Sequence, residues 1–172
     1  MNKKELGALI IDGTDDFYRV AKSILKKDAD CQDAVQEAVS KAFAKIDTLR
    51  EKKYAKTWFI RILLNECYRM LRQRKREAAY HEQISGEEVR QHQYSDLYQK
   101  IMSLEIEYRV PLVLYYLNQY TIKEIGQMLD LGDSAVKMRL SRARKMMQKL
   151  IKVGKISEKH QNLLSEDGDL SG

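Results

Sequence analysis

Apolar residues recur at helical spacing through most of the chain, and no sustained alternation predicts a strand. Leu6, Leu9 and Ile10, then Phe17, Val20, Ala21, Ile24 and Leu25, predict a first helical stretch over 5–27. Gly13–Thr14 is its natural break and Thr14 a plausible restart. Asp28–Ala29–Asp30 interrupts the pattern and offers an N-cap for a second helix reaching about Ile46. That helix puts Cys31, Ala34, Val35, Ala38, Val39, Ala42, Phe43 and Ile46 on one face and Asp33, Gln36, Glu37, Ser40 and Lys41 on another. The charged segment Asp47–Lys56 reads as a loop, and a third helix runs from Lys56 or Thr57 to about Arg76. Residues 77–95 lack an apolar period and read as a linker, although Ala78–Ile84 could prolong the third helix.

A second helical group follows. Leu97, Ile101 and Leu104 open it, and Val110–Tyr116 supplies a dense apolar helix. Pro111 fits only the first turn of a helix, which sets that helix's start near Tyr108. Thr121 and Glu124 form a capping box for a short helix carrying Ile122, Ile125, Met128 and Leu129. Gly132 is the expected residue of positive φ beyond it, and Asp133 or Ser134 caps the next helix. There Val136, Leu140, Ala143, Met147 and Leu150 form one stripe, opposed by Lys137, Met138, Ser141, Arg142 and Lys145. Beyond Lys155 the chain reads as a frayed, acidic tail. The expected fold is therefore all-α: two small helical domains over 1–76 and 96–155, a flexible acidic linker over 77–95, and a tail over 156–172.

An apolar content of 44% in 172 residues suffices for packed cores. No apolar run approaches the ~20 residues of a membrane span, and no signal peptide is evident. Cys31 and Cys67 read as small buried hydrophobes in a reducing cytoplasm. With His81, His92 and His160 they make no metal-ligand spacing, so no metal and no cofactor is expected. A Gly-rich phosphate loop and a paired nucleophile and base are also missing, which argues against an enzyme.

Charge sharpens the picture. Residues 50–76 carry ten Lys/Arg against two Glu, 77–107 carry two cations against seven acids, and 137–155 carry eight cations and no acid. Two separated cationic blocks point to a polyanion. On the third helix Trp58, Arg61, Asn65, Arg69 and Arg72 recur at steps of three and four. An aromatic, an amide and three guanidiniums can stack on bases, bond their edges and neutralise phosphate. The pair of helices over Thr121–Leu150, one packing face opposite one cationic face, is a helix-turn-helix.

Three stretches together, DADCQDAVQEAVSKAF (Asp28–Phe43), TWFIRILLNECYRMLRQRKR (Thr57–Arg76) and TIKEIGQMLDLGDSAVKMRLSRARKMM (Thr121–Met147), resemble bacterial RNA polymerase sigma factors of the extracytoplasmic-function group. The resemblance implies that the first domain is sigma region 2 and the second sigma region 4. It implies that Asp33, Gln36, Glu37, Ser40 and Lys41 dock on core polymerase. It further implies that the loop Asp47–Tyr54 captures a flipped base of the −10 element. The −10 surface would comprise Lys52, Lys53, Tyr54, Lys56, Trp58, Arg61, Asn65, Arg69 and Arg72, and the −35 duplex would be read by Lys137, Met138, Ser141, Arg142 and Lys145. The implied partners are core RNA polymerase, promoter DNA and a membrane-anchored anti-sigma factor, with a cytoplasmic location and a role in stress-responsive transcription. The chain departs from the family pattern in three places. Leu104 is followed by Glu105 rather than Pro, Met138 replaces a small polar residue, and the −10 loop is lysine-rich without Gly. The competing reading is a dimeric helix-turn-helix regulator that does not engage polymerase; its first domain should be a sensor or dimerisation module, not a second basic, aromatic-bearing helix.

Overall fold

The computed structural model describes residues 1–80 and 95–166, with side chains described up to residue 154 apart from Tyr80. Eight α-helices and no strand occur among the described residues: α1 (Lys3–Asp12), α2 (Thr14–Lys22), α3 (Asp28–Ala44), α4 (Ala55–Tyr80), α5 (Asp96–Ser103), α6 (Ile106–Leu112), α7 (Ile122–Leu129) and α8 (Asp133–Glu166). The break expected at Gly13 is present, and close packing explains it. A Cβ on Gly13 would lie 2.6 Å from the ring of Phe17, which is fully buried and packs at a tilt against Phe59 with ring centres 4.4 Å apart. The α1 start is fixed by a capping box, with Asn2 accepting from the Glu5 N–H at 2.8 Å and Glu5 accepting from the Asn2 N–H at 3.0 Å.

Helices α3 and α4 pack along each other and hold the first module together. Ala34, Ala38 and Ala42 let the backbones approach, and Phe59, Ile60, Leu63, Leu64 and Cys67 fill the space. The α3 start differs from the expected cap. Lys27 occupies the N-cap position without a side-chain bond, and Asp30 turns inward, buried, to receive Arg74 of α4. The segment between α3 and α4 contains two single 3₁₀ turns, Ile46–Thr48 and Lys52–Tyr54.

In the second module α6 opens at Ile106, two residues before the start that Pro111 suggested. Pro111 stands in the second turn of the helix, where it leaves one i→i−4 bond unmade, and the following residues, Val113–Leu117, widen into a π turn that ends on the Asn118 N–H to Val113 carbonyl bond of 3.1 Å. The capping box at Thr121 is present, with Glu124 Oε2 accepting from the Thr121 N–H at 2.8 Å. Gly132 does not take the positive φ. Asp130 does, at φ 57° and ψ 47°, ending α7. The turn then folds so closely that a Cβ on Gly126 would lie 2.6 Å from the Leu131 carbonyl oxygen. Asp133 stands in the first turn of α8. Helix α8 continues to Glu166, past Lys155, where the sequence reads as a frayed tail. Most of the predicted linker, residues 81–94, lies outside the described residues.

The two modules share one apolar cluster, to which the second contributes Val110, Leu114, Tyr120, Ile125, Met128, Val136 and Leu140. Helix α7 lies against α4. Polar bonds cross the same junction. Arg109, 4% exposed, donates from Nε to the Ser23 carbonyl at 2.6 Å and from Nη1 to the Met102 and Leu104 carbonyls at 2.6 and 2.8 Å. One guanidinium thus satisfies the C-terminal ends of α2 and α5, where helix carbonyls are otherwise orphaned.

Candidate nucleic-acid interface

Helix α4 presents three faces. Ile60, Leu63, Leu64 and Cys67 enter the core; Arg61 marks the edge toward α7; Glu66 marks the edge toward α3. The predicted stripe runs between those edges. Arg61, Asn65, Arg69 and Arg72 are exposed along it, while Trp58 is half-buried and packed on the core. Trp58 is thus partly committed to packing. Arg61 lies 3.9 Å from Asp130 at the end of α7.

The lysines of the preceding loop, Lys52 and Lys53, and Lys56, which the structure places in the first turn of α4 and not in the loop, are held by acids. Lys52 bonds Glu5 of α1 at 2.7 Å and Lys53 bonds Glu51 at 2.7 Å while lying 4.8 Å from the Tyr54 ring centre. Lys56 bonds Asp16 of α2 at 2.7 Å and lies 5.7 Å from the Tyr120 ring centre. Tyr54 is exposed. The Lys52 and Lys53 pairs are exposed, where each is worth at most about 1 kcal/mol and yields readily to a polyanion, while the Lys56–Asp16 pair is partly buried. The Glu5 carboxyl is held below its ordinary value chiefly by its hydrogen bond from Lys52.

On α3, Asp33, Gln36, Glu37 and Ser40 are exposed as one polar face. Lys41 differs: it is half-buried and reaches across to α4, bonding Glu66 Oε1 at 2.6 Å and lying 3.5 Å from Glu37 Oε1. The other Glu66 oxygen accepts from Arg69 Nε at 2.9 Å. Burial acts to raise the Glu66 pKa, but the hydrogen bonds and charges of Lys41 and Arg69 outweigh it and hold the carboxyl below its ordinary range. Sequence reasoning missed Glu66, and also Asp30 and Arg109. Glu66 did leave a signal, as the one acid between Thr57 and Arg76.

On α8 the packing stripe is as the sequence predicts: Val136, Leu140, Ala143 and Met147 are buried. Lys137, Met138, Arg142 and Lys145 are exposed on the far side, with Ser141 partly so. This helix can lay that face in a major groove while α7 crosses behind it, the geometry of a DNA-reading helix-turn-helix. No group of three or more metal-ligating side chains is found among the described residues, and no described helix is long and apolar enough to cross a membrane.

A small helical module with an exposed cationic stripe, joined to a helix-turn-helix with an exposed recognition face, defines a two-module DNA-binding transcription protein. The family model for sigma-70 region 2 matches residues 14–77 and that for sigma-70 region 4 matches residues 94–147. The chain belongs to the sigma-70 family, in its extracytoplasmic-function group, and is an alternative sigma factor that directs promoter-specific transcription. It is similar to the RNA polymerase sigma factor SigV of Bacillus subtilis, 29% identical over 157 residues, spanning 86% of this chain and 95% of that one. It is also similar to the extracytoplasmic-function sigma factor SigW of the same organism, at 25% identity over 80% of this chain and 84% of that one. The fold matches the sigma factor RpoE, solved with the anti-sigma factor NepR from Bartonella quintana, with a TM-score of 0.75 at 24% identity, over 87% of this chain and 98% of that one. It also matches CnrH, solved with the cytosolic domain of CnrY, with a TM-score of 0.65 at 23% identity, over 88% and 90% of the two chains.

Proposed function

We propose that this sigma factor docks on core RNA polymerase through the α3 face formed by Asp33, Gln36, Glu37 and Ser40, with Lys41 at its edge. The opened −10 strand is taken by the loop through Lys52, Lys53 and Tyr54, by Lys56 in the first turn of α4 and by the α4 stripe of Trp58, Arg61, Asn65, Arg69 and Arg72. The −35 duplex is read by Lys137, Met138, Ser141, Arg142 and Lys145. The observation that carries this reading is the pair of exposed cationic faces on separate modules, one on α4 and one on α8. No nucleophile or metal is required. Strand separation is driven by binding, because stacking returns ~1–3 kcal/mol per base against an extrusion cost of a few kcal/mol. The sigma factor RpoE was solved with the anti-sigma factor NepR, and CnrH with the cytosolic domain of CnrY. By analogy this chain works in the cytoplasm and is restrained by an anti-sigma factor, held at the membrane if that partner is anchored there.

The test is transcription in vitro with sigma-free core polymerase on genomic DNA. Transcripts from a defined promoter set are expected, and Asn65→Ala should lower open-complex formation about tenfold while core binding is kept. Arg142→Ala should cost about 1–3 kcal/mol in discrimination between −35 duplexes. Equal loss of core binding and open complexes in Asn65→Ala would refute the −10 assignment. Duplex selectivity unchanged in Arg142→Ala would refute the −35 assignment.

A further inference from the structure

The Glu66 carboxylate belongs to neither exposed face, yet it joins the two. Its side chain is 7% exposed, and both oxygens are used: one by Lys41 of α3 at 2.6 Å, the other by Arg69 of α4 at 2.9 Å. Glu37, 3.5 Å from Lys41, extends the chain to the solvent face of α3, and Arg69, 47% exposed, ends it on the α4 stripe. Signs alternate along Glu37, Lys41, Glu66 and Arg69, so each cation lies against an acid.

The geometry at Arg69 matters most. Glu66 takes the Nε hydrogen, which restrains the guanidinium while the bond to the acid is made by Nε and not by the two terminal nitrogens. Those terminal nitrogens are the fork that suits a phosphate. An arginine on an exposed helix face ordinarily loses side-chain entropy when it binds, and one already oriented loses less. We infer that Glu66 is a positioning residue: it presents Arg69 to the backbone of the captured strand and ties that presentation to the α3 face through Lys41. This rests on the proposed role of the α4 stripe in strand capture.

The sign of a charge-removing substitution separates positioning from a bystander role. Deleting an acid beside a DNA-binding face should tighten binding to a polyanion if electrostatics alone operates. Glu66→Gln keeps the shape but replaces one of the two acceptor oxygens by an NH2 donor, removes the charge, and so opposes a donor to Lys41 or Arg69. If Glu66 positions Arg69, the substitution weakens binding instead.

The experiment measures binding of a fluorescent single-stranded 12-mer to the reconstituted holoenzyme at several salt concentrations, for wild type, Glu66→Gln, Arg69→Ala and the double variant. Thermal melting and core-polymerase retention serve as folding controls. Glu66→Gln is expected to weaken strand binding about fivefold with an unchanged salt slope, and to add nothing in the Arg69→Ala background. Binding by Glu66→Gln that equals or exceeds wild type, with Arg69→Ala weakened, overturns this inference alone. Wild-type binding by Arg69→Ala overturns the strand-capture role of Arg69 and this inference with it. Should Glu66→Gln melt too early to assay, Arg69→Lys serves: it keeps the charge but has neither the Nε hydrogen that Glu66 holds nor the terminal fork, and must lose about as much affinity as Glu66→Gln was to lose. Full affinity in Arg69→Lys would overturn the proposal.

Discussion

At the scale of single residues, burial divides the charged groups into those that hold the fold and those free to meet DNA. Glu66 is in the first class, and its lowered pKa makes stability pH-dependent in a defined direction. A carboxyl whose folded pKa is depressed stabilises the native state fully above its unfolded value of ~4.3, and that contribution is lost as the pH falls toward the folded value. The stability gap between wild type and Glu66→Gln should therefore be about 1 kcal/mol at pH 7 and should close below about pH 4, read by thermal melting across pH. The cysteines behave in the opposite way. Burial pushes the Cys31 thiol up to about 11 and the Cys67 thiol up to about 12, so neither supplies thiolate at neutral pH. Native protein should not react with a thiol reagent at pH 8, and both cysteines should react once the chain is denatured. That agrees with reading them from the sequence as small core residues. The sequence was less informative about Lys41. On a helical projection it stands beside Glu37, but in the fold it is half-buried against a carboxylate 25 residues away, a pairing no local pattern encodes.

At the scale of elements, the helices were legible where the apolar period was strong and capping was local. Helices α2, α3, α7 and the first half of α8 follow their stripes, and the Thr121–Glu124 box forms as its spacing predicts. The misreadings are at ends and turns. Gly132 looked like the residue of positive φ, yet Asp130 takes that conformation, because a short polar side chain tolerates it at a helix end. The glycine the turn cannot lose is Gly126, inside α7, where the Leu131 carbonyl folds back over the helix and the Leu131 N–H donates to the Gly126 carbonyl at 2.9 Å. An Ala at an exposed mid-helix site ordinarily stabilises by about 1 kcal/mol relative to Gly. Here the added Cβ meets backbone at 2.6 Å, so Gly126→Ala should instead destabilise the protein by about 1–3 kcal/mol. Denaturant melting would measure it, and a stabilised variant would mean that the turn is looser than described. The same substitution should impair duplex binding more than core-polymerase binding, since it distorts the angle between α7 and α8.

At the scale of the whole molecule, the two modules are packed together in a form that cannot span a promoter. A compact chain of 172 residues has a radius of gyration of about 16 Å. On the proposed reading, the −10 and −35 elements lie about 20 base pairs apart, roughly 70 Å along B-DNA at about 3.4 Å per base pair. With α7 lying against α4, the two reading faces are far closer than that. The junction also has the character of a contact built to part. Two buried polar atoms there, Asn118 Oδ1 and Tyr120 OH, have no hydrogen-bond partner among the described residues, each a cost of about 1–3 kcal/mol. Several polar links across it are long: Asn118 Nδ2 to the Asp16 carbonyl at 3.3 Å, Arg19 to the Leu117 carbonyl at 3.4 Å and Arg61 to Asp130 at 3.9 Å, whereas Arg109 bonds the Ser23 carbonyl at 2.6 Å. Holoenzyme assembly should then separate the modules. With donor and acceptor dyes on Lys4→Cys and Glu107→Cys, both exposed and outside the proposed reading and docking faces, transfer efficiency should be high in the free protein and fall on adding core polymerase and promoter DNA. Arg109→Met, which gives up the three carbonyl bonds, should lower the efficiency of the free protein and shift apparent DNA affinity in the same direction as the open fraction, since affinity scales with the fraction competent to bind. Equal transfer in the free and promoter-bound states would show that the packed form binds DNA as it stands, and the spanning argument would fail.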